Sequence, residues 1–300
     1  MRYRLSAGLL ILIIFTLTSC QSAMTLQQLQ QAVTTTLAKQ EGTYAVAFKD
    51  PGTGATFQIN GDTTFHAAST MKTPVLIEVY KQVAAGTLSL TDSITVKNEF
   101  RSIVDSSTYS LNPDDDSEQQ LYTHIGAKRT LYDLVYDMII MSSNLATNIV
   151  IEYVDAKKVT QTMRSLGAKD MQVLRGVEDS KAYQQKLNNT TTANDLMIIF
   201  EKIANGQAVD SAASQAMIKI LLDQKFNEVI PARLPKEVKV AHKTGNITGV
   251  QHDSGIVFLP DGRKYVLVIL SKGIKDEKAA IAAMAEVSKQ IYQYMIQPKN

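Results

Sequence analysis

The six consecutive apolar residues from Tyr265 to Leu270 constrain the fold more than any other stretch of the chain. A strand without a polar face must be covered on both sides, so this run predicts a central strand of a buried sheet. Two more strands are predicted just before it, over residues 238–242 and 253–259, and residues 260–263 form the turn that joins the last pair. The C-terminal part of the chain therefore supplies three neighbouring strands.

The N-terminal part of the chain predicts further strands. Residues 44–49 alternate like a strand, and residues 56–59 follow as a second short strand. Amphipathic helices are predicted over residues 24–40 and from Asp276 onward, and helical periodicity dominates the middle of the chain. This order predicts one sheet built from both ends of the chain, with a helical region inserted between them.

The composition argues against several classes of function. Apolar residues make up 45% of the 300 residues, which is enough for a globular core. The net charge is +2 and no basic stripe is present, so nucleic-acid binding is not predicted. The four histidines lack the spacing of metal ligands, and the chain has no phosphate-binding loop. We therefore predict neither a metal nor a cofactor.

The first twenty residues are predicted to be an export signal. Arg2 and Arg4 precede an apolar run over residues 9–17 that is too short to be a permanent membrane span. The run ends in Leu17-Thr-Ser-Cys20, which resembles a bacterial lipobox with cleavage before Cys20 and acylation of its thiol. The alternative is an ordinary signal peptide with an incidental cysteine. Cys20 is the only cysteine, so no intramolecular disulfide is expected.

A serine and a lysine three residues apart, Ser69 and Lys72, lie at the start of a predicted helix that ends at Gly86. Residues at this spacing share a helix face, and a hydroxyl at a helix N-terminus lies in a positive dipole. A lysine on that face can take the hydroxyl proton and activate the serine. The ordinary alternative is a capping serine followed by a solvated lysine, and only partners elsewhere in the chain decide between the two.

Two further motifs follow in a fixed order. Met141-Ser142-Ser143-Asn144 follows an apolar helix pattern, and Lys243-Thr244-Gly245-Asn246 ends an apolar strand pattern. With Ser69 and Lys72, these motifs resemble the S-x-x-K, S-D-N and K-T-G set of class A β-lactamases and penicillin-binding proteins, over roughly residues 26–296.

The resemblance implies an α+β fold of the β-lactamase/transpeptidase type. An antiparallel sheet formed by both termini and flanked by helices would comprise residues 24–66 and 236–300, and an all-helical lobe would comprise residues 67–235. The catalytic domain as a whole would run from residue 24 to residue 300, after a signal peptide over residues 1–20. The active site would lie in the cleft between the sheet and the lobe.

The resemblance also implies the acylation chemistry. Ser69 would be the nucleophile, and the backbone N–H groups of Ser69 and Asn246 would stabilise the oxyanion. Lys72 would activate Ser69, helped by the nearby charge of Lys243, which lowers the proton affinity of at least one of the two amines. Ser142 would pass a proton to the leaving nitrogen.

Substrate contacts follow from the same motifs. Asn144 would hold the substrate amide, and Lys243, Thr244, Gly245 and Asn246 would line the side that receives the substrate carboxylate. Asn148, one turn after Asn144, would support the floor of the site. Ser143 replaces the usual aspartate of S-D-N at a position that is largely structural in the family. The arginine usual near the strand after K-T-G is absent.

The stretch from Arg175 to Thr192, here called the omega-like loop, resembles the omega loop of the family. Glu178 would be the base for the hydrolytic water, although it lies one position later than usual. We expect a bulge at Gly176 to absorb that shift, and Asp179 to point elsewhere. Asn189 stands where the family has an aspartate that pairs with the arginine. The alternative is that Glu178 is a surface residue.

Other stretches near the motifs are predicted to take no part in the chemistry. Residues 111–118 are polar and acidic and are predicted to form a solvated surface loop. His242 and His252 lie beside the motif strands and are predicted to be wall residues.

The resemblance predicts a monomeric serine β-lactamase that is exported and anchored in the bacterial cell envelope through Cys20. The anchored protein would face the periplasm or the cell surface. A D,D-peptidase or esterase of the penicillin-binding type, acting on a peptidoglycan-like peptide, is the first alternative. A non-catalytic envelope lipoprotein that binds a partner is the second.

Overall fold

The computed structural model of the protein describes residues 23–298, so the predicted signal peptide and Cys20 lie outside the described residues. Residues 23–298 form nine α-helices: α1 (Leu26–Leu37), α2 (Lys72–Ala84), α3 (Leu131–Ile140), α4 (Asn144–Val154), α5 (Ala156–Leu166), α6 (Ser180–Gln184), α7 (Ala193–Ala204), α8 (Ser211–Leu222) and α9 (Glu277–Met295). They also form eleven strands: β1 (Thr43–Lys49), β2 (Thr56–Ile59), β3 (Phe65–His66), β4 (Ser93–Thr95), β5 (Phe100–Arg101), β6 (Thr108–Tyr109), β7 (Lys128–Thr130), β8 (Thr190–Thr191), β9 (Lys239–Ile247), β10 (Val250–Phe258) and β11 (Lys264–Lys272).

The main sheet has five antiparallel strands in the order β2-β1-β11-β10-β9. Strand β11 is central and pairs with β1 on one side and β10 on the other, which confirms the prediction from its apolar run. The sheet is built from both ends of the described chain, and β9 is its edge next to the inserted region. This edge position leaves one side of β9 free to meet the segment that carries Ser69.

Each face of the sheet is covered by its own helices. Tyr265, Leu267 and Ile269 join the core shared with α1 and α9, whereas Val266, Val268 and Leu270 join the core of the other face. Helix α7 packs against β1, β10 and β11 on that second face. The alternation along β11 explains why its sequence has no polar face, since both sides are buried.

Helix α2 is the central helix of the inserted region. It contacts α3, α4, α5 and α8, and it is buried on nearly all sides from Lys72 to Tyr80. A helix buried all round shows no clear apolar stripe. Its first residue is therefore carried into the interior together with its side chain.

The predicted α+β fold is confirmed, with two differences in detail. The inserted region is helical except for three short two-stranded sheets, which pair β3 with β8, β4 with β7 and β5 with β6. Strand β9 was predicted to end at residue 242, but it runs to Ile247, which pairs with Val250 of β10. The K-T-G motif thus lies inside the edge strand, because backbone pairing continues where the apolar pattern stops.

Between residues 23 and 298, none of the helices has both the length and the apolar character needed to cross a bilayer.

Candidate active site

Ser69 lies in a 3₁₀ helix, Ala68–Met71, that leads directly into α2. Such a helix has about three residues per turn, so side chains three apart are eclipsed. Ser69 and Lys72 are therefore aligned on one side. No side-chain hydrogen bond caps the 3₁₀ helix, so the ordinary alternative of a capping serine is wrong.

The segment before Ser69 is held in an unusual backbone conformation. Ala68 has φ of 44°, in the left-handed region that costs a non-glycine residue free energy. Its N–H donates to His66 Nδ1 at 3.0 Å, and the N–H of Ala67 donates to the carbonyl of Asn189 at 2.8 Å. Strand β3 and the end of the omega-like loop together fix the direction in which the chain enters the site.

Lys72 is fully buried, which excludes the solvated lysine of the ordinary alternative. Its Nζ donates to the carbonyl of Ser142 at 2.5 Å, to Ser142 Oγ at 3.1 Å and to Asn144 Oδ1 at 3.1 Å. No hydrogen bond joins Lys72 Nζ to Ser69 Oγ within the described residues. Burial lowers the pKa of Lys72 to about 7, against the opposing charges of Asp116 and Glu178.

Lys243 reaches the same hydroxyl from the edge strand. Its Nζ donates to Ser142 Oγ at 3.1 Å and to the carbonyl of Thr244 at 3.0 Å, and the side chain is fully buried. Burial holds the pKa of Lys243 well below its usual value, and the charge of Lys72 lowers it further. Ser142 Oγ therefore bridges two amines, which is the geometry that a proton relay requires.

The N-terminus of α4 orients Ser142 and Asn144. Ser143 caps this helix, because its Oγ accepts the N–H of Ala146 at 3.2 Å, and its side chain is buried. Serine and aspartate both cap helices well, so the departure from S-D-N leaves the cap in place. Ser142 itself has φ of 57°, a left-handed conformation just before the cap.

The prediction that residues 111–118 form a solvated loop is wrong for two of its carboxylates. Asp116 is 6% exposed and Glu118 is 9% exposed. Asp116 accepts the N–H groups of Asn144 and Leu145 at 2.9 Å, so it neutralises the positive end of α4. Glu118 accepts the N–H groups of Gln120 and Leu121 at the start of the 3₁₀ helix that follows the loop. The acidic composition gave no sign of this, because the partners of Asp116 lie 28 and 29 residues away.

The edge strand comes close to Ser69 at Gly245. A Cβ at this position would lie 3.2 Å from the backbone nitrogen of Ser69 and 3.2 Å from Ala68 Cβ. The N–H groups in the first turn of a helix have no acceptor within it. The amide of Ser69 thus faces β9, whose residue Asn246 supplies the second predicted oxyanion donor.

The omega-like loop is closed at its neck by amide groups. Asn189 Oδ1 accepts the N–H groups of Leu174 and Arg175, and Asn189 Nδ2 donates to the carbonyl of Arg175 at 3.0 Å. The Arg175 guanidinium donates to the carbonyls of Leu187 and Gly176. Backbone acceptors therefore replace the arginine–aspartate pair that the resemblance implies.

Asn148 holds the omega-like loop beside Glu178. Its Oδ1 accepts the N–H of Val177 at 2.6 Å, and its Nδ2 donates to the carbonyl of Val177 at 3.0 Å. A Cβ at Gly176 would lie only 2.3 Å from Asn148 Oδ1, so this close approach requires glycine. The predicted bulge at Gly176 is wrong, because the left-handed residue is Glu178, with φ of 62°.

Glu178 is exposed and lines the cleft with Ser69. Partial burial in the cleft raises the pKa of its carboxyl, and the carboxylate of Asp115 raises it further. Asp179 points elsewhere, as predicted: its carboxylate accepts the hydroxyl of Ser102 and the N–H of Ile103. The structure brings Glu178 to the cleft without a hydrogen bond to Lys72 or Ser69 among the described residues, so its role as a base stays a prediction.

The cleft has a volume of about 1010 Å³. It is lined by most of the predicted site residues: Ser69, Ser142, Asn144, Glu178, Thr244, Gly245 and Asn246. Lys72 and Lys243 reach it from beneath through Ser142. No cluster of potential metal ligands occurs in residues 23–298.

The two histidines beside the motif strands are buried in the sheet. His242 Nδ1 is 2.8 Å from Asp253 Oδ1, and His252 Nε2 is 2.9 Å from the carbonyl of His66. Burial lowers the pKa of His252 to about 4. Neither residue lines the cleft, so the prediction that they form its walls is wrong; both are buried behind the walls.

Sequence reasoning missed several residues that line the cleft. His66 and Glu277 both border it, and nothing in the sequence around them singled them out. Glu277 begins the last helix, where an acid is common whether or not it serves a site.

Comparison with known proteins shows the family to which these features belong. The model of the beta-lactamase enzyme family matches residues 28–295. Beta-lactamase AER-1 of Aeromonas hydrophila is 28% identical over 200 residues, covering 65% of this chain and 62% of that relative. Extended-spectrum beta-lactamase PER-1 of Pseudomonas aeruginosa is 23% identical over 287 residues, covering 92% of this chain and 89% of that relative.

Solved structures share the fold across the described chain. A beta-lactamase from Sphaerobacter thermophilus has a TM-score of 0.78 at 29% identity and covers 92% of this chain and 100% of its own. PBP-A has a TM-score of 0.78 at 26% identity and covers 91% of this chain and 97% of its own. A mutant of PBP-A, solved as an acyl-enzyme complex with penicillin G, has a TM-score of 0.77 at 27% identity and covers 90% of this chain and 97% of its own.

The buried amine of Lys72 predicts the pH dependence of covalent adduct formation. With its pKa lowered to about 7, Lys72 can accept the Ser69 proton only when the amine is neutral. The rate of acylation should therefore fall about tenfold per pH unit below about pH 7 and level off above it. Rapid-mixing kinetics with a labelled penicillin measure this rate.

Variants of the two lysines provide the controls for this profile. Lys72→Ala and Lys243→Ala should each slow acylation by about 10²–10⁴-fold. The arginine in Lys72→Arg keeps the charge but cannot lose its proton. This variant should therefore also lose the change in acylation rate near pH 7. If the acylation rate of Lys72→Arg still changed near pH 7 as in the wild type, another group would be the base.

Proposed function

The chain belongs to the beta-lactamase enzyme family, and on that premise we propose that it hydrolyses β-lactam amides through an acyl-enzyme on Ser69. The observation that supports this most is Ser142 Oγ, which lies 3.1 Å from the amines of both Lys72 and Lys243. A serine with a buried amine of lowered pKa and a hydroxyl relay beside it suits nucleophilic attack on an amide.

Acylation would use the groups on the floor of the cleft. Neutral Lys72 takes the proton of Ser69 as Ser69 Oγ attacks the lactam carbonyl, and the Ser69 amide stabilises the oxyanion. The proton then passes through Ser142 to the leaving nitrogen as the lactam C–N bond breaks. Lys72 Nζ already donates to Ser142 Oγ, so this transfer needs no rearrangement of the lysine.

Deacylation would use Glu178 as the base for water. Glu178 lines the same cleft as Ser69, and it follows Val177, which Asn148 holds in place. Its raised pKa brings the carboxyl closer to the range in which it can accept and return a proton. The carboxylate would remove a proton from the water that attacks the acyl carbonyl.

The second candidate function is that of a penicillin-binding protein that forms the acyl-enzyme but releases it slowly. Its support is the absence of a hydrogen bond between Glu178 and either Ser69 or Lys72 in the described residues, together with the similarity to PBP-A. Such a protein would act on a peptidoglycan-like peptide. The intact set of Ser69, Lys72, Ser142 and Lys243 argues against the third possibility, a non-catalytic binding protein.

We also propose that the protein is exported and anchored in the bacterial cell envelope through an acylated Cys20. The support comes from the charged start, the short apolar run and the residues Leu17 to Cys20. Several acyl chains on one residue anchor firmly, since each buried CH₂ contributes about 0.8 kcal/mol. A monomer suffices for catalysis, because one chain supplies every residue of the proposed mechanism.

Loss of the Ser69 hydroxyl should abolish both covalent labelling and turnover. A labelled penicillin should add its mass to the peptide that contains Ser69, and Ser69→Ala should remove that adduct. Mass spectrometry of digested protein identifies the position. Ser110→Ala, which alters an exposed serine outside the cleft, is the matched control and should label like the wild type. Attachment of the label at any other residue would refute the assignment.

Replacing the Glu178 carboxylate should separate the two half-reactions. Glu178→Gln should form the adduct at nearly the wild-type rate and then accumulate it, because the base that activates water is lost. Intact-protein mass spectrometry at timed intervals, beside a chromogenic β-lactam assay, follows both steps. Wild-type turnover in the variant would mean that Glu178 is a surface residue. A persistent adduct on the wild type would favour the penicillin-binding function instead.

Removal of the Cys20 thiol should release the protein from the membrane. Cys20→Ser should leave a soluble or uncleaved form, whereas the wild type should partition with membranes and carry lipid on its mature N-terminus. Fractionation and N-terminal mass spectrometry make the comparison. A wild-type N-terminus at another residue, without lipid, would disprove the anchor.

A further inference from the structure

One carboxylate at the mouth of the cleft takes no part in the proposed mechanism. Glu277 is the first residue of α9 and lines the cleft together with Ser69 and Thr244. Its Oε1 accepts a hydrogen bond from Asn246 Nδ2 at 2.7 Å, and the same Nδ2 donates to Gln251 Oε1 at 2.6 Å. Glu277 is exposed to solvent, but the edge strand fixes its position.

The register of β9 brings this carboxylate to the side of the cleft that would receive a substrate carboxylate. Thr244 and Asn246 are two residues apart in β9, so their side chains share one face of the sheet. That spacing is about 7 Å along a strand. The hydrogen bond from Asn246 therefore holds the charge of Glu277 roughly one strand position from the Thr244 hydroxyl.

The exposed charges of the cleft are mostly negative. Asp115, Glu178 and Glu228 line it along with Glu277. Arg175 is the one cationic residue among the described lining residues, and its guanidinium nitrogens donate to acceptors of the omega-like loop. A cleft lined by one sign of charge raises the local concentration of groups of the opposite sign. The mouth of this cleft should therefore attract cations.

We propose that Glu277 is a specificity-determining residue that favours acyl donors with a cationic substituent beside their carboxylate over donors with a neutral one. This inference rests on the proposed acylation of Ser69. The ligand class is a zwitterionic β-lactam. Its added positive charge faces Glu277 and offsets the repulsion between the substrate carboxylate and the carboxylate of Glu277. Because Glu277 is exposed, the preference weakens as salt screens the charges.

Two cephalosporins test the proposal, provided that they share one acyl side chain and differ in the substituent beside the carboxylate. One carries a pyridinium group there and the other an acetoxy group. The measured quantity is the ratio of their acylation efficiencies at low ionic strength. Glu277→Gln should lower the ratio of pyridinium to acetoxy substrate by about 1.5–5-fold, the size expected for one exposed charge contact. Glutamine keeps an acceptor for Asn246 Nδ2, so the charge alone is removed.

Three comparisons make the result specific to this position. Glu277→Lys should lower the ratio further, since it reverses the charge. Glu237→Gln makes the same charge change on an exposed residue outside the cleft and should leave the ratio unchanged. For the wild type, the preference should shrink towards that of Glu277→Gln at about 1 M salt. Equal melting temperatures of the variants show that folding is unaffected.

The outcomes distinguish this inference from the function on which it rests. A ratio that is the same in wild type, Glu277→Gln and Glu277→Lys at low salt overturns the role of Glu277 while leaving the acylation of Ser69 standing. A wild type that neither substrate acylates overturns the proposed function and the inference together. Acylation measured in a single turnover gives the ratio of the two acylation efficiencies whether or not the acyl-enzyme is later hydrolysed.

Discussion

One serine hydroxyl accepts hydrogen bonds from two fully buried lysine amines, and the rest of the site is arranged around that contact. Burying an ammonium group is costly unless its protons find acceptors, and Lys72 Nζ has three of them. The desolvation cost that these acceptors do not offset lowers the pKa of Lys72, which favours the neutral amine. The same burial that threatens stability therefore produces a base that can work near neutral pH.

The geometry of that contact depends on two short segments with left-handed residues. Ala68 precedes Ser69 and Ser142 precedes the cap of α4, and both have positive φ. Such conformations persist only where surrounding contacts hold them. His66, Asn189 and β3 hold the first segment, and the capping of α4 by Ser143 and Asp116 holds the second.

The omega-like loop shows how the fold tolerates a departure from the family pattern. An asparagine at the neck accepts and donates backbone hydrogen bonds where an ion pair is expected, so the loop is closed without a buried carboxylate at that point. The shifted glutamate reaches the cleft because it adopts a left-handed conformation after the anchor at Val177. The position of the Glu178 carboxylate in the cleft is therefore set by the backbone conformation of Glu178 and by the hydrogen bonds between Asn148 and Val177.

The sequence by itself determined the features that local chemistry encodes. The spacing of Ser69 and Lys72 placed them on one helix face, and the apolar run of β11 required a strand covered on both sides. Thr130 and Thr192 cap α3 and α7 by accepting the N–H group three residues later, a contact that depends on local sequence alone.

Tertiary structure alone decided the rest. Asp116 turned inward because it found the N-terminus of α4, 28 residues away, and Glu277 reached the cleft because its partner Asn246 lies 31 residues before it. The K-T-G motif extended the edge strand because β10 offered pairing partners to residues without an apolar pattern. A carboxylate has the same local sequence signal on a solvated loop and at a buried helix end, and only the contacts made by the folded chain distinguish the two.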